Sequence, residues 1–362
     1  MRYYLRYGVD LKEREEFTFS PVNFGVVLHA VIREVCDEIK KNGESYYLIS
    51  EEKRREMVKR SVAAITDIYQ NSILKDSSRN SFMIKRMEDL ADRTVWAMGE
   101  QLKCGDFVPF VFEHKFNMEV GDGDRKQLMS GTIDRVDICE NGTDVYVRII
   151  DYKTGKKDFN IVKTYYGIDI QLMVYMEAAM KLVAKMRPGK NVIPAGVFYY
   201  NISDPIVSAT TESAEEIEDK IKGELRLKGM VNSDKDIAEK MDNTEGTSLN
   251  IPVSRKADGG FDSRRSKVMN TEQFNMLGRF VDVRAVDTAD RIAGGDIRRS
   301  PYKDGQFSSC DRCPYGAVCG FSVDLPGCNY RKLKKFDDEV LWNNIKAVSY
   351  THLRAHETAA NL

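Results

Sequence analysis

The sequence predicts an α/β fold, a mixed β-sheet flanked by helices. Three observations carry this. The element order reads helix, three strands, helix, strand. Asn141-Gly142 sits between two alternating apolar stretches, the strongest short-range hairpin signal. Two strongly periodic amphipathic segments, one near the start and one after the hairpin, read as helices that cover a sheet.

The elements follow in order. Ser20-Pro21 reads as an N-cap followed by proline at the first helical position. Phe24, Val27, Leu28, Val31, Ile32, Val35 and Ile39 then recur at helical spacing, and Gly43 stops the helix. Further helices are expected near 50–75 and 80–103. Phe107 to Val120 is a strand, followed by a Gly/Asp-rich turn at 121–124 and hairpin strands at 127–139 and 144–153. Asp169 to Met186 is an amphipathic helix ending before Pro188-Gly189, and Val192 to Tyr200 is a buried-type strand. The charged stretch 212–245 reads as surface helices, and Ile251 to Arg264 as a loop or short hairpin. Thr271 to Ala293 is a long helix closed by Gly294-Gly295. Internal repeats and low-complexity segments are absent.

With 362 residues the chain can form one large domain or two small ones. Lys plus Arg number 55 against 56 acidic residues, so net charge gives no nucleic-acid footprint and only local basic patches can serve a DNA partner. No apolar run reaches membrane-spanning length and no signal peptide opens the chain, so no membrane association is expected. Seven unevenly placed cysteines argue for a reducing, cytoplasmic compartment rather than a disulfide framework. Val348 to Thr358 resembles the translation of a sequencing-library adapter, so 348–362 is set aside as a non-native tail, with His352 and His356 in it. This suggests a gene fragment in which Met1 is an internal methionine.

The chemistry concentrates in Gly131-Thr-Ile-Asp134-Arg-Val-Asp137 and Ile149-Ile-Asp151-Tyr-Lys153-Thr-Gly155. A two-residue turn at Asn141-Gly142 sets Asp134 opposite Ile149 and Asp151 opposite Thr132. Asp134, Asp151 and Lys153 then share one face, with the aspartates diagonal neighbours roughly 7–8 Å apart. Two carboxylates so placed can share a hard divalent cation, and the lysine can hold a charged oxygen beside it. Asp137 has the opposite parity and faces away, and a bulge would reverse these facings. A solvated hairpin face is the plain alternative. It fits poorly, because Asp151 ends the apolar run Val145 to Ile150 and a buried carboxylate needs a partner.

Other candidates stay open on spacing alone. His29 lies in the first helix as a packed residue or a ligand. Glu113, in the strand before the hairpin, is a further carboxylate or simply exposed. Gln171 and Tyr175, four apart on a helix, contact substrate phosphate, orient Lys153, or pack. Cys310-Asp-Arg-Cys313 and Cys319 form a C-x2-C-x5-C set that suits a metal or iron–sulfur site. A fourth ligand must come from elsewhere; Cys328 is nearest, while Cys36, Cys104 and Cys139 fall on regular elements.

Together, Leu28-His29, Gly131-Thr-Ile-Asp134-Arg, Asp151-Tyr-Lys153-Thr-Gly155 and Gln171-Leu-Met-Val-Tyr175 resemble the RecB-like branch of the PD-(D/E)XK nucleases. The cysteine set looks like the iron–sulfur clasp of the AddB subunit of bacterial AddAB helicase–nucleases. The resemblance runs from Met1 to about Leu333 and rests on the ordered set of motifs. It implies a restriction-endonuclease-like core at 106–210, an N-terminal helical part at 1–105 carrying His29, and a helical C-terminal part at 211–335 with the cysteine-rich clasp. It implies metal ligation by His29, Asp134 and Asp151, with Lys153 positioning or activating the attacking water. Gln171 and Tyr175 complete the active face. Mg²⁺ and a 4Fe-4S cluster on Cys310, Cys313 and Cys319 are the implied cofactors, and DNA and an AddA-like helicase–nuclease subunit the implied partners. The family's first cluster cysteine precedes the segment matching Arg2 to Gly8, so the fourth ligand is expected just upstream of Met1. No G-x-x-x-x-G-K-S/T loop is present, so ATP binding is not expected.

The implied activity is Mg²⁺-dependent exonucleolytic hydrolysis of DNA in double-strand break repair and recombination. This segment on its own is not expected to retain full activity. Two rival readings are an inert DNA-binding and structural module held by the clasp, and a zinc or redox module built on the cysteines alone.

Overall fold

The computed structural model describes residues 1–11, 21–69, 78–120, 126–208 and 212–360. A short π-helical turn (Tyr4–Gly8) precedes α1 (Pro21–Lys41), α2 (Glu51–Tyr69) and α3 (Ser78–Lys103). Strands β1 (Val108–Val120), β2 (Gln127–Asn141) and β3 (Asp144–Lys153) follow, then α4 (Ile161–Tyr165), α5 (Gln171–Met186) and β4 (Asn191–Asn201). Next come α6 (Ala214–Glu224), β5 (Lys228–Asn232), α7 (Lys235–Met241), β6 (Val268–Met269) and α8 (Thr271–Ala293). The chain closes with β7 (Tyr302–Asp304), β8 (Phe307–Ser308), α9 (Gly316–Cys319), β9 (Arg331–Lys332) and α10 (Asp338–Ala360). Ser20 and the expected turn at 121–124 lie outside the described residues.

Six strands form one mixed sheet in the order β1-β2-β3-β4-β5-β6. β3 and β4 are parallel, joined through α4 and α5, while β1–β2, β2–β3 and β4–β5 are antiparallel. β5 is an addition to the reading of 212–245 as surface helices. Its apolar content is too short to show a period among the flanking charges. A small separate sheet, β8-β7-β9, lies in the cysteine-bearing region.

The sheet separates two apolar layers. On one face Tyr146, Ile150, Tyr152, Phe198 and Tyr200 pack against α1, α2, α3 and α7. On the other, Val145, Val147, Ile149, Val197 and Tyr199 pack against α5, α8 and α10. Strand periodicity produces this division, since neighbours along β3 and β4 point to opposite faces. All seven apolar positions expected on α1 are buried, and Gly43, at φ 67°, ends that helix in the left-handed conformation favoured by glycine. In α10, Leu341 and Ile345 join the second layer, and Ser349 Oγ donates to the Met276 carbonyl of α8 (3.2 Å).

The hairpin differs from the expected one by one step of the turn. Asn141 pairs with Asp144, so the loop is Gly142-Thr143 and not Asn141-Gly142. Gly142 takes φ 59° in the first loop position, as a II′-type turn requires. Asn-Gly-Thr contains two overlapping two-residue turns, and the apolar alternation suits both. The change moves the pairing by two residues, so every side chain keeps its face. Continued one step past its last pair, Arg135 with Ile150, the ladder sets Asp134 directly opposite Asp151 rather than diagonal to it.

Asp137 faces away from that side, as its parity requires. It lies buried between two guanidinium groups. Arg135 donates to it through Nε and Nη2 (both 2.6 Å), and Arg148 through Nε (2.9 Å). Arg148 also lies over the Phe107 ring (4.8 Å). The two cations hold the Asp137 carboxyl below its ordinary value despite burial, which acts the other way.

Candidate active site

The site gathers at the C-terminal end of β3, where β1, β2, α1 and α5 converge. Asp134 and Asp151 are buried, at 7% and 1% exposure. The Tyr152 backbone N–H donates to Asp134 Oδ2 (2.7 Å), tying the β2 carboxylate to the β3 backbone. Gln171, at the start of α5, donates through Nε2 to Asp151 Oδ1 (3.0 Å) and to Tyr175 Oη one turn on (2.9 Å). Lys153 Nζ forms an ion pair with Asp151 Oδ2. Tyr175 packs edge-on against Phe116, with ring centroids 5.8 Å apart. Gly131 makes room for this pair: a Cβ there would stand 2.9 Å from the Phe116 ring and 3.3 Å from Tyr175.

α1 reaches over the end of the sheet. His29 Nδ1 stands 3.4 Å from Asp134 Oδ1 and 3.7 Å from Glu113 Oε1, its ring edge-on to Tyr152 at 5.8 Å. Glu113 enters through a backbone irregularity. It adopts φ 47°, a left-handed conformation rare for a non-glycine residue. Phe112 on one side packs into the first apolar layer, and Phe116 and Met118 on the other pack into the second. β1 therefore changes face at Glu113, opposite Asp134. Such strain concentrates at functional positions.

The six residues expected from the motifs fall into two contact groups, His29 with Asp134, and Asp151 with Lys153, Gln171 and Tyr175, which meet at Tyr152 of β3. Glu113, open on sequence alone, joins the first group. Among the described residues, only His29, Glu113 and Asp134 bring three imidazole, thiolate or carboxylate donor atoms within 4.8 Å of one another. Asp151 instead turns its oxygens to Lys153 and Gln171. Burial works against a charged His29, yet Asp134 and Glu113 outweigh it and raise its pKa to about 10. Burial, reinforced by Asp134, pushes Asp151 up to about 6, with Lys153 pulling the other way. Lys153 and a protonated His29 are the cationic partners of this carboxylate cluster. An imidazole and hard carboxylate oxygens suit a small divalent cation, which such a cluster would accept in place of the His29 proton.

Residues 1–320 match the PD-(D/E)XK nuclease superfamily. The chain belongs to that superfamily. It is similar to bacterial proteins whose names make each of them one subunit of an ATP-dependent helicase/deoxyribonuclease. The one from Thermoanaerobacter sp. (strain X514) is 33% identical over 95% of this chain and 30% of its own length. Those from Lachnoclostridium phytofermentans and Clostridium acetobutylicum are 33% and 34% identical, with the same coverage. The chain therefore spans about 30% of the length of these relatives. The mixed sheet with helices on both faces is consistent with a PD-(D/E)XK fold. No helix among the described residues is long and apolar enough to cross a membrane.

Within this PD-(D/E)XK chain, sequence reasoning passed over one group beside the site. Tyr199 of β4, Asp169 just before α5, and Lys157 of the β3–α4 loop meet next to Lys153. Tyr199 falls in the apolar strand and Asp169 at the head of the expected helix, and spacing alone does not bring them together. Cys310, Cys313 and Cys319 are free thiols on a loop and the short helix α9 of the C-terminal region. Cys310 and Cys319 flank Tyr315, whose Oη donates to the Leu11 carbonyl (2.6 Å). Burial, with nearby Cys313 and Cys319 adding to it, raises the Cys310 thiol pKa.

Proposed function

We propose that this chain is a Mg²⁺-dependent deoxyribonuclease that hydrolyses phosphodiester bonds at DNA ends. Its context is double-strand break repair and recombination, with an AddA-like helicase–nuclease subunit as partner. The observation that carries the reading is the convergence of an imidazole, three carboxylates and an ammonium where β1, β2 and β3 meet α1 and α5. His29, Asp134 and Asp151 would hold the ion, with Glu113 as a further oxygen donor. When bound, a divalent ion there supplies Lewis acidity toward a phosphoryl oxygen and acidifies a coordinated water.

The chain's own groups have distinct tasks. The Lys153 ammonium offsets negative charge building on the phosphoryl oxygens. Gln171 fixes one Asp151 oxygen and Tyr175 fixes Gln171, so the carboxylate is held before substrate arrives. The Tyr152 N–H holds Asp134 in the same way.

A 4Fe-4S cluster on Cys310, Cys313 and Cys319, completed by a fourth ligand, is proposed as a structural clasp. The contact between Tyr315, inside the cysteine loop, and Leu11, near the chain's start, supports a role in joining the two ends. Three thiolates in one loop suit such a cluster, which spaces its ligands more widely than a single ion does. The intact subunit, purified anaerobically, should show iron–sulfur absorption that Cys313→Ser removes; zinc content without that absorption refutes the cluster.

The nuclease reading is tested by digestion of linear duplex DNA with and without Mg²⁺, in the intact subunit. Asp151→Ala should abolish cleavage and leave DNA binding in place. Cleavage retained by that variant rejects the assignment.

A further inference from the structure

Lys153 is held from two sides. One is the Asp151 carboxylate already described. The other is an aromatic face. Asp151 pairs with Tyr199 across the parallel β3–β4 ladder, and Lys153 with Asn201. Tyr199 therefore shares the face of Asp151 and Lys153 and lies one pleat back from the lysine. Lys153 Nζ stands over its ring, 5.6 Å from the centroid. That is within the range where a ring quadrupole attracts an ammonium.

The ring itself is fixed. Tyr199 is fully buried, and its Oη donates to Asp169 Oδ1 (2.7 Å). Asp169 is buried too. Its backbone carbonyl accepts from Thr164 Oγ1 (2.8 Å), and Oδ1 also faces Lys157 Nζ (3.3 Å). Lys157 Nζ in turn lies over the same ring at 5.3 Å. The Lys157 backbone exchanges hydrogen bonds with the Asn201 side chain (2.9 and 3.0 Å), which ties the loop to β4. Asp169 and Gln171 are two residues apart. The start of α5 thus anchors both halves of the pair, Gln171 on Asp151 and Asp169 on the ring beside Lys153.

We infer that Tyr199 is a positioning residue for the phosphodiester reaction: its ring, anchored by Asp169, holds the Lys153 ammonium at the reacting phosphate. The inference rests on the nuclease reading above. A lysine stem has four rotatable bonds, and an ion pair alone fixes its end loosely. A flat, buried attractive surface removes much of that freedom without adding a charge that would compete for the phosphate. Lys157, on the same ring but paired with Asp169, keeps a second ammonium beside the first.

The test changes the ring's electrostatics and leaves its size almost unaltered. In the intact subunit, Tyr199→Phe is compared with variants carrying progressively fluorinated phenylalanines at 199. Fluorine weakens the negative face of the ring. Each added fluorine should lower kcat, by about 3–10-fold across the series, with KM for linear DNA unchanged. A packing role predicts a flat series, and a flat series overturns the inference. A second measurement is independent of cleavage. Reductive ¹³C-methylation of lysines should give a Lys153 resonance, identified by its loss in Lys153→Arg, that is shifted upfield by the ring current. A Lys153 resonance at the position of ordinary exposed lysines overturns the contact even if the wild type cuts DNA. Wild-type protein that does not cut while keeping the upfield resonance leaves the contact standing and rejects the nuclease reading instead.

Discussion

Asp137 sits three residues from Asp134 and serves an unrelated purpose. It pairs with both Arg135 and Arg148 inside the first apolar layer. Asp137→Ala would leave two buried guanidinium groups unpaired and should destabilise the fold by about 3–5 kcal/mol in chemical denaturation. Its pKa is depressed in the folded state, so its contribution is full above the unfolded carboxylate value and is lost as pH falls through the lower folded value. Acid unfolding of the wild type should therefore steepen below about pH 4, and Asp137→Asn should remove that component. Gly131 is a second residue where a small change tells. Gly131→Ala drives a methyl into Phe116 and Tyr175, and the resulting shift of Tyr175 should lower cleavage about tenfold at a stability loss of about 1–3 kcal/mol. Cleavage equal to wild type would mean that Tyr175 does not orient Gln171. Both aspartates and this glycine were visible as residues in the sequence. Parity alone gave the aspartates their opposite facings, whereas the pairing of Asp137 with Arg135 and Arg148 had no signal in the sequence.

At the scale of elements, two strand irregularities decide what reaches the site. The hairpin turn lies one residue later than Asn-Gly suggests, yet a two-residue change in pairing preserves facing. Strand alternation therefore gave the right face through the wrong turn. Glu113 shows the opposite case. Its reversal of β1 depends on a left-handed φ that no local sequence signal announces, since glycine or asparagine is the usual marker. Glu113→Gly relaxes the backbone but removes the carboxylate, whereas Glu113→Gln keeps the side-chain length. If Glu113 donates to the ion, both should raise the Mg²⁺ concentration needed for half-maximal cleavage, by at least about threefold. A rise for the glycine variant only would assign the residue to backbone geometry. Helix α1 was legible from its apolar stripe, but that stripe does not reveal that His29, on its edge, overhangs the sheet.

At the scale of the molecule, the sheet divides two cores and the site opens where helices from both sides reach its end. The central strands were readable because β3 and β4 are apolar runs buried on both faces. β5 and β6 were not, being short and surrounded by charge. The Tyr199–Asp169 group depends on parallel pairing of strands separated by two helices, which spacing alone does not specify. The C-terminal region folds back so that Tyr315 meets Leu11. Loss of the cysteine cluster should therefore loosen both ends together, and Cys313→Ser should raise amide exchange in residues 1–11 as well as around 310–320. Exchange confined to the cysteine loop would argue against a clasp.

We propose that the carboxylate cluster performs metal-supported hydrolysis of DNA. The most direct measurement is release of nucleotides from end-labelled linear duplex DNA by the intact subunit, titrated with Mg²⁺, for wild type and Asp151→Asn. Wild type should show saturable Mg²⁺-dependent release that is lost on chelation, and the variant a fall of at least about 10²-fold with DNA affinity retained. Metal-independent release, or a variant that cleaves like wild type, would contradict the proposal.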